Sequence, residues 1–338
     1  MIFEEIWQSL ENFAPEQQNG YARRRIKPQS SYDIFLAVAK PFNQHMLQIK
    51  LIGDNIYTMA NLPSARGIEV TTLQPEEGQT GNTLQLTLKE RRFDKVFDAL
   101  INDIVEVVDR TKSEPAAIAA FVSRLRHWQK FLEQVGPEGL SREAQQGLYG
   151  ELWFLRERLL PLIDPYSALL AWAGPSGAHQ DFLLKSCAIE VKTTGAKEPQ
   201  QIIIQSERQL DDKGLAALFL LHLSIDAREG IGESLVMMVD SLRQLLKSTS
   251  PALELYEDRL LEVGFLQPQS PQYEKIGYNV RKANLFRVKD AFPRIIEADL
   301  KPGIGSVRYS IAASECRHFA ATEDEFKFQL IGSEHGKQ

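Results

Sequence analysis

The stretch HQDFLLKSCAIEVK (179–192) contains two short apolar runs separated by a Lys-Ser pair. If that pair forms a two-residue turn, the runs pair as a β-hairpin in which Asp181 lies directly opposite Glu190. Because side chains alternate between the two faces of a strand, Lys192 shares a face with Glu190, and the intervening residues point into apolar packing. We therefore expect two carboxylates and one lysine to lie close together on one face of a sheet.

This arrangement of charges predicts a bound metal ion. Two carboxylates placed opposite each other destabilise a sheet unless a positive charge compensates them. Oxygen atoms of Asp181 and Glu190, with the backbone carbonyl of Val191, suit Mg²⁺ (or Mn²⁺), which binds proteins through one or two carboxylates and keeps several waters. Lys192 is placed to hold a water molecule or a phosphate oxygen. The combination is typical of a site that hydrolyses phosphodiesters.

Two further residues are candidates for this site. In GLYGELWFLRERLL (147–160), four leucines follow one stripe of a helix, and Glu151 lies at the edge of that stripe. If the helix packs on the sheet through this stripe, Glu151 comes close to the metal. Gln205 ends the run QIIIQ (201–205), which we predict to be the next strand, so its side chain is placed to orient a water or contact the substrate.

The beginning of the chain is typical of a small β-rich module. Residues 1–110 contain a short opening helix and five strand-like runs, among them YDIFLAVAK (32–40) and IYTMAN (56–61), separated by Gly, Asn and Pro. From Phe93 to Val108 the apolar residues change to a helical period. We take residue 110 as the end of this module.

The middle of the chain predicts an α/β layer. Residues 111–250 begin with two helical stretches, continue with strands and a short helical piece around SERQLDD (206–212), and include the run ALFLLHLSID (217–226). A run that is apolar on both faces is typical of a central strand covered on both sides. The order of elements predicts a mixed sheet flanked by helices. Residues 251–338 are predicted to form a β-rich C-terminal extension that is mobile after Glu323.

Composition excludes several classes of protein. The chain has 338 residues, of which 43% are apolar and 25% charged, as in ordinary globular proteins. No window approaches 18 consecutive apolar residues, and the N-terminal residues do not resemble a secretory signal, so we expect neither a membrane span nor secretion. Cys187 and Cys316 are far apart in sequence, which argues against a disulfide framework or a zinc site. A cytoplasmic location is the simplest expectation.

The net charge limits how the protein can bind nucleic acid. The formal charge of −6 argues against a uniformly positive surface, so any nucleic-acid contact must come from local patches. Solvated edges are the alternative interpretation of each patch. The basic clusters that could act in this way are Arg23, Arg24, Arg25 and Lys27; Arg91 and Arg92; and Arg281, Lys282, Arg287, Lys289 and Arg294.

Asp181, the Glu190-Val191-Lys192 triplet and the upstream helical Glu151 resemble the PD-(D/E)xK phosphodiesterase superfamily, the restriction-endonuclease-like nucleases. The resemblance covers residues 141–248, about a third of the chain. Four runs are more closely similar to the "PD-(D/E)xK motif protein" group, whose members are typically encoded beside methyltransferase and ATPase genes of bacterial restriction or phage-defence systems. These runs are GELWFL (150–155), HQDF (179–182), EVKTT (190–194) and IQSERQL (204–210).

This resemblance implies a restriction-endonuclease-like core, magnesium-dependent cleavage of DNA and, as partners, methyltransferase or ATPase subunits. It also implies that Asp181 and Glu190 are metal ligands, that Lys192 is the catalytic lysine, and that Glu151 is the carboxylate contributed by the helix. Gln180 stands where the proline that gives the family its name would be. Members often vary this position, so the departure weakens the resemblance little.

Two functions are compatible with these observations. The first is a metal-dependent DNA endonuclease, the cleaving subunit of a restriction or defence system; because cutting both strands of a duplex usually takes two active sites, a homodimer is plausible. The alternative is a catalytically inactive subunit that keeps the nuclease fold as a DNA-binding or assembly scaffold, which the net negative charge favours. RNA or branched DNA as the substrate is not excluded, because phosphate contacts carry no base information.

Other features have simpler interpretations. The sequences at 325–327 and 211–213 also carry an acid two residues before a lysine, but neither has an opposing acid at a hairpin position. His222 lies inside an apolar run and is predicted to be a core histidine with a hydrogen-bonded ring. His179 precedes Asp181 by two residues and shares its face if the strand extends that far. Nucleotide-binding loops, zinc-protease motifs and serine-hydrolase motifs are absent from the sequence.

Overall fold

The protein divides into two compact units in the computed structural model. One unit consists of Met1–Gly139 with Gly264–Gln269, and the other of Leu140–Val263 with Ser270–Gln338. The described residues are 3–13, 20–51, 67–75, 81–134, 139–185 and 187–331.

The N-terminal unit is built on a five-stranded antiparallel sheet in the order β1-β2-β3-β5-β4. One sheet face is apolar, with Leu36, Leu47 and Leu86 fully buried. Helix α2 packs its predicted apolar stripe into the core of this unit, where Phe97 and Leu100 are fully buried. The predicted strand at 56–61 lies outside the described residues. The elements are α1 (Glu4–Asn12), β1 (Tyr21–Ile26), β2 (Asp33–Ala39), β3 (Gln44–Lys50), β4 (Ile68–Leu73), β5 (Thr83–Leu88), α2 (Asp94–Asp109) and α3 (Glu114–Gln134).

The second unit contains the remaining helices and strands. Its first helix ends in one π-helical turn, Leu155–Leu159. The elements are α4 (Arg142–Phe154), α5 (Pro165–Ala171), β6 (Phe182–Leu183), β7 (Cys187–Thr194), β8 (Gln201–Ile204), β9 (Ala217–Glu229), β10 (Glu233–Ser234), α6 (Leu235–Leu246), α7 (Ser250–Glu262), α8 (Ser270–Tyr273), β11 (Ile276–Val288), β12 (Tyr309–Ala312) and α9 (Glu323–Ile331).

A mixed five-stranded sheet forms the centre of the second unit, in the order β10-β11-β9-β7-β6. Strands β7 and β9 are parallel, and the other neighbours are antiparallel. The first nine residues of β9 are all buried, as predicted for a central strand. Strands β8 and β12 form a separate two-stranded sheet. Ile202 and Ile204 of β8 share one core cluster with Ala188, Leu218 and Leu220.

The predicted fold class, a mixed sheet flanked by helices and preceded by a β-rich module, is confirmed. The grouping of segments differs from the one predicted at residues 110 and 250. Helix α3 belongs to the N-terminal unit, and the last part of the chain supplies β11 to the middle of the central sheet. The prediction of a mobile tail from Glu323 onward is wrong up to Ile331, because Phe326 of α9 is buried against the rings of Phe154 and Phe219.

The predicted helical piece around SERQLDD is also wrong: residues 207–210 form a turn. Side-chain oxygens accept hydrogen bonds from backbone amides that would bond to backbone carbonyls in a helix. Ser206 Oγ accepts the amide of Arg208 at 3.2 Å, and Gln209 Oε1 accepts the amide of Gln205 at 2.8 Å. The carboxylate of Glu207 accepts the amide of Val307 at 2.8 Å, which ties the turn to a distant loop.

Candidate active site

The hairpin that carries the candidate site has the predicted register. Phe182 pairs with Ile189 and Leu183 with Ala188, so the next pair along the strands is Asp181 with Glu190. Strand β6 begins only at Phe182, and Ser186 of the turn lies outside the described residues. Asp181 therefore stands just before the paired strand, beside the part of β7 that carries Glu190.

Asp181 is held by backbone amides from two directions. Its carbonyl oxygen accepts the amides of Ala173 and Gly174, at 2.8 and 2.9 Å. Its side-chain Oδ2 accepts the amide of Val191 at 2.7 Å. If β6 began earlier in the chain, a backbone carbonyl of β6 would accept that amide instead. Because the amide and carbonyl of one residue in a strand face the same neighbour, the carbonyl of Val191 faces this edge as well. A carboxylate and a carbonyl thus meet at an edge of the sheet.

Glu190 is the most buried carboxylate of the site. Its side chain has no solvent exposure, and Lys192 Nζ lies 2.6 Å from its Oε1. Neither carboxylate oxygen of Glu190 has a hydrogen bond of regular geometry among the described residues. Ile189 and Val191, on the opposite face, are buried, as predicted. Glu190 is therefore an acceptor with unfilled coordination, since one ammonium contact does not replace the hydration of a buried carboxylate.

Glu151 reaches the site because α4 packs very closely on β7. A Cβ built on Gly150 would lie 1.9 Å from Thr193 Oγ1, so any larger residue would force Thr193 or the helix to shift. The indole N–H of Trp172 donates to Glu151 Oε2 at 2.7 Å. A Cβ built on Gly174 would lie 3.4 Å from that same Oε2 and 3.1 Å from Asp181 Oδ1. The two carboxylates therefore border one small space, as the sequence predicted for Glu151.

Burial and mutual repulsion make these carboxyl groups reluctant to ionise. Burial raises the pKa of Glu190 well above its ordinary value, and the charge of Asp181 raises it further. Burial, followed by the charge of Asp181, raises the pKa of Glu151 to about 8. The pKa of Asp181 is raised by burial, against the opposing effects of Lys192 and the Val191 amide. Burial opposes the charge of Lys192, but Glu190 and Asp181 outweigh it and raise its pKa.

The donor set fits a hard divalent cation. Three carboxylates face a single lysine, and the unfilled acceptors are oxygen atoms, which Mg²⁺ and Mn²⁺ prefer. Within the described residues, no group of three or more His, Cys, Asp or Glu side chains is arranged as a complete metal site. Mg²⁺ does not require one, because it keeps several waters and shares its shell with substrate oxygens. Asp181, Glu190 and the Val191 carbonyl are the first candidates, and Glu151 borders the same space.

Two other residues singled out in the sequence, Gln205 and His179, are exposed. Gln205 follows β8, which pairs with β12 rather than with β7, and its side chain is exposed. Its amide donates to Gln209 Oε1, within the turn that Gln180 joins to the chain before Asp181, and its part in the site stays a prediction. His179 is exposed, and the strand does not extend back to it.

Two further expectations concern neighbours of the hairpin. His222 is a buried core histidine, as predicted; its Nε2 lies 3.1 Å from Thr194 Oγ1, and burial lowers its pKa to about 4. Gln180, at the position of the name-giving proline, donates from Nε2 to the carbonyl of Arg208 at 2.8 Å. It thereby fixes the chain before Asp181 to the turn after β8.

Sequence reasoning missed three residues that shape the site: Trp172, Gly150 and Gly174. A glycine inside a helical pattern is a signal of close packing, so Gly150 could have been found. Nothing in the local sequence around Trp172 or Gly174 indicates that they border the carboxylates, because the contact depends on how the segment after α5 folds back on Asp181.

The comparisons with known proteins agree with the geometry. In the part of the chain that the structure describes, no helix is both long and apolar enough to cross a membrane. No curated protein and no solved structure matches the chain. A family model described as "Putative PD-(D/E)XK family member (DUF4420)" matches residues 3–314. The match covers nearly the whole chain, and the protein belongs to this PD-(D/E)XK family.

Proposed function

We propose that the protein is a metal-dependent phosphodiesterase that cleaves DNA as an endonuclease. The observation that carries this proposal is the fully buried Glu190, which lies beside Asp181 and Lys192 and has no regular hydrogen bond among the described residues. A stable fold tolerates such a group when a ligand completes it. Membership of the PD-(D/E)XK family supports the same reaction class.

Each residue of the cluster has a distinct role in this proposal. Asp181 and Glu190 hold Mg²⁺ or Mn²⁺ with the Val191 carbonyl. When bound, the ion lowers the pKa of water and neutralises charge that develops on the phosphate. Lys192 remains protonated beside Glu190 and donates to the attacking water or to a phosphate oxygen. Glu151, held by the Trp172 indole, borders the other side of the site and orients water molecules.

The biological setting is part of the proposal. The runs that resemble the PD-(D/E)xK motif protein group support a role as the cleaving subunit of a bacterial restriction or phage-defence system. A methyltransferase or ATPase partner would supply the functions for which this sequence has no motif. Two copies of the chain would supply two active sites for the two strands of a duplex.

Cleavage of supercoiled plasmid and of labelled duplex oligonucleotides, with Mg²⁺ or Mn²⁺ and with EDTA, tests this function. We expect Asp181→Asn, Glu190→Gln and Lys192→Ala each to abolish cleavage while the proteins remain folded. Lys327→Ala is the matched control, because it removes the lysine of the second Glu-X-Lys sequence and should cleave normally. If Glu190→Gln cleaves like the wild type, the catalytic assignment is wrong and the scaffold function is favoured.

A further inference from the structure

The sheet face that carries Glu190 and Lys192 is apolar at one end and polar at the other. At one end it is apolar, and Ala188, Leu218, Leu220 and Phe286 are buried there under β8 and β12. At the other end the same face carries polar side chains. Strand pairing defines two cross-sheet rows at this polar end: Lys192 with His222 and Asn284, and Thr194 with Ser224 and Lys282. Lys192 and Lys282 therefore lie on the same face of the sheet.

The β7–β8 loop, residues 195–200, is folded onto this polar end. Gln200 Nε2 donates to the carbonyl of Ala196 at 2.8 Å and to Ser224 Oγ at 2.7 Å, and Gln200 itself is buried. Lys282 Nζ lies 4.0 Å from Glu198 Oε1. The loop is thus anchored in a defined position directly after the catalytic strand.

Arg281 of β11, two strands away from β7, also holds the loop. The pairing of β11 with β9 shifts between Val280 and Lys282, so Arg281 is the extra residue of a bulge. Bulges re-aim side chains, and here the guanidinium reaches past β9 to donate to the carbonyl of Ala196 at 2.8 Å. No carboxylate partner of Arg281 is found in the described part of the chain, so its positive charge remains on the surface.

Positive charge is in excess at this place on a protein that is negative overall. Lys197, Arg281 and Lys282 are exposed, and Glu198 is the acid within the loop. The Lys282–Glu198 pair is 64% and 62% exposed, and an ion pair so exposed contributes little and exchanges readily. These three cations, on an anchored loop and a strand, form a local positive patch. A protein with a formal charge of −6 needs such a patch to bind DNA.

We infer that the β7–β8 loop, with Lys197, Arg281 and Lys282, binds the phosphates of the DNA strand on one side of the scissile bond. The inference rests on the proposed function. Thr194 and Lys282 lie two strands apart, about 10 Å at the spacing of sheet strands. Arg281 is a positioning residue in this surface, and the lysines make the phosphate contacts.

Fluorescence anisotropy of a labelled 20-bp duplex in EDTA, over a salt series, tests the inference. Each phosphate contact contributes about 0.9 to the slope of log affinity against log salt concentration. We expect Lys197→Ala and Lys282→Ala each to lower the magnitude of that slope by about 0.9. Lys289→Ala, at the other end of β11 and also exposed, is the matched control and should leave it unchanged. Arg281→Ala and Arg281→Lys should both weaken binding, because lysine keeps the charge but loses the planar donor that holds the loop.

The outcomes separate this inference from the proposed function. If the wild type cleaves DNA but the slope is the same for Lys197→Ala, Lys282→Ala and Lys289→Ala, the phosphate-binding surface is wrong and the nuclease stands. If the wild type neither binds nor cleaves any duplex, both fail. A metal-induced rise in melting temperature that is the same in all the lysine variants as in the wild type shows that the carboxylate cluster is intact.

Discussion

Glu190 is a buried carboxylate whose neighbours leave it partly uncompensated. Its side chain is unexposed, Asp181 adds a second negative charge, and Lys192 offsets only part of the sum. Glutamine has the shape of glutamate without its charge, so Glu190→Gln removes the repulsion from Asp181, while Asp181 still opposes the charge of Lys192. We therefore expect Glu190→Gln to raise the melting temperature of the metal-free protein at pH 8, as measured by scanning calorimetry in EDTA. A lower melting temperature would show that the Lys192 contact outweighs the repulsion.

Glu151 gives the metal-free protein a defined pH dependence. Its pKa is about 8 in the folded protein and near 4.5 when unfolded, so between these values the folded state holds the extra proton. Stability then falls as pH rises through this window and levels off above it. We expect the melting temperature in EDTA to fall less between pH 5 and pH 8.5 in Glu151→Gln than in the wild type. Identical curves for the two proteins would contradict the assignment.

Trp172 holds Glu151 through one hydrogen bond. Loss of a hydrogen bond to a metal-site group typically costs about 10- to 100-fold in metal affinity. We expect Trp172→Phe to weaken Mg²⁺ binding by such a factor in a calorimetric titration. Trp7→Phe is the control, because it removes a similar 2.8 Å indole bond to Asp98 in the N-terminal unit. Equal affinities of Trp172→Phe and wild type would show that the indole does not position Glu151.

Helix α4 packs most closely on β7 at Gly150. A Cβ at Gly150 would meet Thr193 Oγ1 at 1.9 Å, whereas a Cβ at Gly147, on the same helix, would meet nothing within 4 Å. We expect Gly150→Ala to cost about 1 to 3 kcal/mol and to displace Glu151. Gly147→Ala should be neutral or stabilise by up to about 1 kcal/mol, since alanine is the better helix former. Urea denaturation measures both, and equal effects at the two positions would refute the close approach.

The elements differ in how well local sequence predicts them. Strand β7, at 187–194, contains the second apolar run of the predicted hairpin, and its register with β6 is the one that a two-residue turn predicts. The partner of β8 was not predictable, because QIII fits a strand in either sheet and its pairing with β12 depends on residues more than a hundred positions away. The turn after β8 escaped prediction because side-chain bonds to the backbone override a helical pattern.

At the scale of the whole molecule, the second unit is completed by distant parts of the chain. Strand β11 lies between β9 and β10, and Phe286 and Val288 belong to the core under β8. The sequence did not reveal this, since a strand-like run near the end of a chain carries no sign of where it pairs. The expected C-terminal extension is therefore, in part, the middle of the sheet.

This topology predicts the effect of truncation. A fragment that ends at Val263 lacks β11 and leaves the buried strand β9 with a bare edge. We expect residues 1–263 to show no cooperative unfolding transition for the second unit in circular dichroism melts, although the full chain does. A sharp transition with the amplitude of the full chain would contradict the observed strand order.

We expect the carboxylate cluster to bind a divalent metal ion. A thermal melt of the wild type and of the Asp181→Asn/Glu190→Gln double variant, in EDTA and with Mg²⁺ or Mn²⁺, tests it most directly. At a metal concentration of about 100 times Kd, binding adds roughly 2.7 kcal/mol to the stability of the wild type and nothing to that of the variant. Glu325→Gln, in the second Glu-X-Lys sequence, should respond like the wild type. A wild type whose melting temperature is the same in EDTA and in saturating metal would contradict the account.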